Sequence, residues 1–69
     1  MKEFSATARL LYDTFAGRHV WITYADLRDV IGNEHLVISR SWNELKAAKL
    51  TQGEILRGEE ARILKKDAG

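Results

Sequence analysis

The chain reads as a mainly α domain with a small β-hairpin (α+β): three helices, a short strand before the second, and the hairpin after the third. Three observations predict this. Leu27, Val30 and Ile31 are closed by Gly32, and Ile38, Trp42 and Leu45 then return six, ten and thirteen residues after that glycine. Those steps mark a helix that packs one face across its predecessor after a tight turn. Earlier, Ala8, Leu11 and Phe15 recur at steps of three and four between Ser5 and Gly17, as on the buried stripe of a first helix. Near the end, the apolar pairs Ile55-Leu56 and Ile63-Leu64 enclose the polar run Arg57-Gly58-Glu59-Glu60, the pattern of a hairpin.

The first helix spans residues 5–17. Ser5 caps its free amides, Gly17 ends it in a left-handed conformation, and Phe4 and Leu10 flank its stripe. Residues 18–22 are rich in β-branched and aromatic side chains, which suits a short strand. Thr23 and Asp26 fit a capping box, with Asp at the position that favours Glu or Gln, and Gly32 stops the second helix at positive φ. The third helix starts between Asn33 and Ser41. Ser41 and Glu44 have capping-box spacing, and Leu36-Val37-Ile38 favours a helix only weakly. For the tail, a wing-like hairpin over about residues 52–64 is the preferred reading. A helix over 58–66 competes with it through the helix propensity of Glu59 to Lys66. Residues 65–69 read as a frayed end.

Sixty-nine residues allow one domain, with an ordered core over about 5–65. A domain this short buries about 60% of the surface its unfolded chain exposes, so its stability margin is thin. The absence of cysteine excludes a disulfide scaffold and a thiolate metal site. The apolar runs Val20-Trp21-Ile22 and Leu36-Val37-Ile38 are too short to cross a bilayer, and the start Met1-Lys2-Glu3-Phe4-Ser5 lacks the apolar core of a secretory signal. The expectation is a cytoplasmic protein with no membrane partner.

Enzymatic chemistry has little support. The histidine-pair and cysteine-pair metal motifs and the glycine-rich phosphate loops are missing. His35 follows Glu34, but no further ligand stands at suitable spacing; a solvated turn histidine is the simpler reading. A nucleophile and base can be drawn from Ser39, His35 and Glu44, yet such sets need a pocket that excludes water. No enzyme activity, cofactor, metal or small-molecule substrate is therefore expected. Trp42 falls on the inner register of the third helix and reads as a core indole. Trp21 either covers one end of the core or lies exposed at an interface. Tyr12 and Tyr24 read as phosphate contacts or as amphipathic packing.

Helix, short strand, helix, turn, helix and hairpin is the order of a winged helix-turn-helix domain. The segment from Leu27 to Leu50 resembles the core of small bacterial and phage regulators of that superfamily, and residues 42–51 are similar to the family's passage from the third helix into the wing. Many members place glycine before the final apolar residue, where this chain has Lys49. The resemblance implies sequence-specific binding of double-stranded DNA and transcription regulation, with the third helix in the major groove. With Ile38, Trp42 and Leu45 inward, Ser39, Arg40, Asn43, Lys46 and Ala47 face outward or sideways. Arg40 and Asn43 suit base edges, because Arg and Asn pair bidentately with guanine and adenine. Ser39 and Lys46 suit phosphates, and Arg57 and Arg62 on the wing suit the adjacent backbone or the minor groove.

Charge weighs against that reading. Eleven Lys and Arg face ten Asp and Glu, a formal net charge of +1, whereas duplex binders draw much affinity from counterion release. Glu59 and Glu60 also make the wing tip acidic. The alternative is a protein-interaction module on the same scaffold, acting as a subunit of a larger assembly or as a small phage-encoded inhibitor of a host protein. A homodimer is a further possibility, since one such domain makes few DNA contacts.

Overall fold

Ser5 opens the first helix as its residue type dictates, with its Oγ accepting the Ala8 N–H at 3.2 Å. The helix α1 covers Ala6–Phe15. The computed structural model describes residues 4–66. A turn follows α1, with Arg18 N–H bonded to Phe15 C=O and Gly17 at φ 77°. The second helix, α2, covers Tyr24–Ile31, and the Asp26 carboxylate reaches back to accept the Thr23 N–H at 2.8 Å, so Asp serves the reciprocal half of the cap. Gly32 ends α2 at φ 94°.

The third helix, α3, covers His35–Ala47, so the chain needs only Gly32, Asn33 and Glu34 to turn between the two helices. Ser41 is not its cap. It lies buried in mid-helix, where its Oγ bonds the Thr7 Oγ1 of α1. At the other end, Leu50 N–H bonds Leu45 C=O and Lys49 N–H bonds Lys46 C=O, with Lys49 at φ 62°. This is a Schellman exit. The side chains of Leu45 and Leu50 are both buried beside it, and lysine occupies the left-handed position usually given to glycine.

The hairpin pairs β1 (Thr51–Gln52) antiparallel with β2 (Arg62–Ile63), Thr51 opposite Ile63 and Gln52 opposite Arg62. Ile55-Leu56 is therefore not a strand, contrary to the sequence expectation. A single 3-10 turn over Ile55–Arg57 sends Ile55 into the core from the loop between the strands. The competing helix over 58–66 does not form. The expected strand over residues 18–22 contracts to one bridge, in which Ile22 and Ala61 exchange N–H···O=C bonds of 2.7 and 2.9 Å. Beyond it the Ile63 carbonyl accepts the Gly17 N–H at 3.1 Å in place of a strand partner near Val20.

Ala8 and Leu11 of α1, Leu27 of α2, Ile38, Trp42 and Leu45 of α3, and Ile22, Leu50, Ile55, Ala61 and Ile63 form one core. Each fully buried Leu or Ile contributes about 1.5–3 kcal/mol relative to exposure. Phe4, Phe15, Val30 and Ile31 pack at its edge. Leu10 does not join them and is 46% exposed, because Leu11 takes the inward direction and neighbouring helical residues diverge by about 100°. The segment after β2 is held along α1 and the α3 exit, not frayed at Lys65 and Lys66: Leu64 N–H bonds Leu50 C=O, and Lys66 N–H donates to the Tyr12 hydroxyl at 2.8 Å. Residues 67–69 of the expected frayed end lie outside the described residues. The result is a small α+β domain of three helices and a two-strand hairpin. Among the described residues no helix is long and apolar enough to cross a membrane.

Candidate functional site

The register of α3 decides which of its side chains meet solvent. With about 100° per residue, Leu36, Arg40, Asn43 and Ala47 fall within about 60° of one another, opposite the buried Ile38, Trp42 and Leu45. All four are exposed. Ser39, half-buried, and Lys46, exposed, flank this stripe on one side, and the half-buried Glu44 flanks it on the other. The stripe spans about 10 Å from Leu36 to Asn43, seven residues at 1.5 Å each.

Glu44 is the one acid within α3, and its carboxylate is turned toward α1. It accepts the Ser5 N–H at 2.7 Å and lies 3.7 Å from the Arg40 Nε. An anion there also faces the positive end of the α1 dipole. Arg40 leans on the same junction, its guanidinium 3.4 Å from Thr7 Oγ1. With Arg40 largely exposed and its Nε 3.7 Å away, an i,i+4 pair of this kind is worth about 0.3–0.5 kcal/mol, so Arg40 can leave it at little cost.

The other predicted site residues divide. Asn43 is exposed on the stripe, whereas Lys46 forms an ion pair with Glu54 in the hairpin loop. That pair ties the end of α3 to the segment before the 3-10 turn. Arg57 is exposed on that turn. Arg62 is not at the tip. It lies on β2 with its guanidinium carbon 4.2 Å from the centre of the Trp21 ring, a cation–π stack, and its Nε is buried with no hydrogen-bond partner among the described residues. The structure thus brings Ser39, Arg40, Asn43 and Lys46 to one helix surface and holds Arg62 back against Trp21.

Two of the three loop acids are likewise engaged. Glu54 pairs with Lys46, and the Glu59 carboxylate accepts the Glu54 N–H at 3.2 Å. Glu60 is exposed. The Tyr24 hydroxyl and His35 Nδ1 are 2.7 Å apart, which clips the start of α3 to α2. Tyr12 is spent on the Lys66 N–H. Among the described residues no three His, Asp or Glu side chains gather to hold a metal ion.

Sequence reasoning missed two participants. Leu36 is 81% exposed, and the signal was present, since a residue two before the buried Ile38 points about 160° away from it on a helix. Glu54 gave no signal, because its partner lies across the helix exit. Comparison of the chain with family models, with curated proteins and with solved structures finds no match.

Proposed function

We propose that the chain is a winged helix-turn-helix domain that binds double-stranded DNA with α3 in the major groove, acting as a small sequence-specific regulator. Two features support the scaffold. The turn between α2 and α3 has the length of that motif. The Ile22–Ala61 bridge also sets the segment before α2 beside the hairpin.

One observation carries the functional reading. The outward stripe of α3 offers Arg40 and Asn43, the side chains suited to guanine and adenine edges, and Arg40 is held only by a weak pair with Glu44, whose carboxylate also accepts the Ser5 N–H. Ser39 and Lys46 at its flank suit phosphates, and Arg57 suits the backbone beyond. Action is by occupancy of a site, and pairing of two copies would supply the contacts one domain lacks.

A specific feature favours a second reading, a protein-interaction module. Val20 and Trp21 are adjacent, large and apolar, and they are 53% and 45% exposed. Two variants separate the readings. Asn43→Ala weakens binding to a selected duplex while leaving the fold intact, and Trp21→Ala leaves that binding unchanged. Loss at Trp21 with indifference at Asn43 overturns the DNA reading in favour of a partner on the Trp21 face.

A further inference from the structure

Leu36 is the most exposed of the large apolar side chains on the described chain, and it sits in the first turn of α3. It shares the outward stripe with Arg40 and Asn43, one helical turn before Arg40. Among the described residues the core takes Ile38 from that turn, Val37 is half-buried at the side, and Leu36 is left 81% exposed. An isobutyl group held in water at the head of a polar stripe gains free energy only by meeting an apolar group on whatever that stripe meets.

In a DNA major groove the base-edge group that is apolar is the thymine C5-methyl; the other edge groups are hydrogen-bond donors and acceptors. Residues at the N-terminus of a helix seated there lie against base edges. We infer that Leu36 is a specificity-determining residue that packs on a thymine methyl, so that α3 selects thymine at one position near the base pair contacted by Arg40. The inference rests on the DNA reading of α3 and adds to it a contact without hydrogen bonds. Covering one methyl group is worth about four-fold in affinity, the equivalent of one buried CH₂.

The test starts from duplexes enriched from a random pool by the wild-type chain at low salt. The enriched sequence is resynthesised with deoxyuridine in place of each thymine in turn, which removes the methyl and leaves every hydrogen-bonding group. Wild type should lose about four-fold at one position. Leu36→Ala should bind the thymine and uracil forms of that duplex equally, and the thymine form more weakly than wild type does. Because Leu36 is 81% exposed, the variant should melt like wild type, which a thermal denaturation curve checks. Equal wild-type affinity for all the uracil duplexes, or discrimination that survives Leu36→Ala, overturns the role of Leu36 and leaves the DNA reading standing. If no sequence is enriched and no duplex is bound, the DNA reading itself falls, and the inference with it.

Discussion

The Glu44 carboxylate on α3 accepts the backbone N–H of Ser5 at 2.7 Å, so a side chain of one helix closes the N-terminus of another. The same carboxylate lies 3.7 Å from the Arg40 Nε. Glu44 therefore joins stability to the proposed DNA-binding surface, and its removal should move the two in opposite directions. Glu44→Ala leaves the Ser5 amide without its acceptor and should destabilise the fold by about 2 kcal/mol, the scale of a charged hydrogen bond. It also takes a negative charge from beside Arg40 and should tighten duplex binding. Urea unfolding and a binding titration on the same preparation check both signs.

Lys49 holds a left-handed backbone at φ 62°, where a β-carbon is penalised by about 1–2 kcal/mol. Lys49→Gly should raise the urea midpoint by the equivalent of about 1 kcal/mol with an unchanged slope. A lower midpoint would mean that the helix exit is not the Schellman turn described.

Two glycines with the same φ of 94° should respond differently to alanine. At Gly32 a new Cβ meets no heavy atom within 4 Å among the described residues, so only the penalty of the φ 94°, ψ −176° backbone remains, about 2 kcal/mol. At Gly53 the Cβ would stand 2.5 Å from the Glu60 carbonyl oxygen, inside the hairpin. Gly53→Ala should lose about 3 kcal/mol, and matched thermal melts of the two variants rank them.

Trp42 is wholly buried between the helices. Trp42→Ala should cost about 3–5 kcal/mol, comparable to the whole stability of a domain this size, and leave the chain largely unfolded by circular dichroism. Ala47→Lys, on the exposed stripe, should be tolerated.

The helical part of the fold was legible because its signals are local. Thr23 with Asp26, Gly32 at positive φ, and the spacing of Ile38, Trp42 and Leu45 each report a conformation set within a few residues. The hairpin was legible in existence and not in register. Ile55 is apolar because the loop between the strands dips into the core, and periodicity alone does not separate that from a strand. Ser41 looked like a cap because its hydroxyl partner, Thr7, lies thirty-four residues away. Within the site, helical register alone was enough to turn Arg40 and Asn43 outward. The engagement of Lys46 by Glu54 and of Arg62 by Trp21 depends on tertiary contacts that spacing does not encode.

The most direct test of the central claim is a salt series of binding to random duplex DNA by fluorescence anisotropy. A chain that lays α3 in the major groove should bind at low salt, with the logarithm of affinity falling linearly against the logarithm of salt concentration. Lys46→Ala should flatten that slope by about one unit, while Arg40→Ala and Asn43→Ala should each cost about 1–3 kcal/mol on a preferred sequence. No binding to random or genomic duplexes at the lowest salt, where counterion release is strongest, would contradict the account.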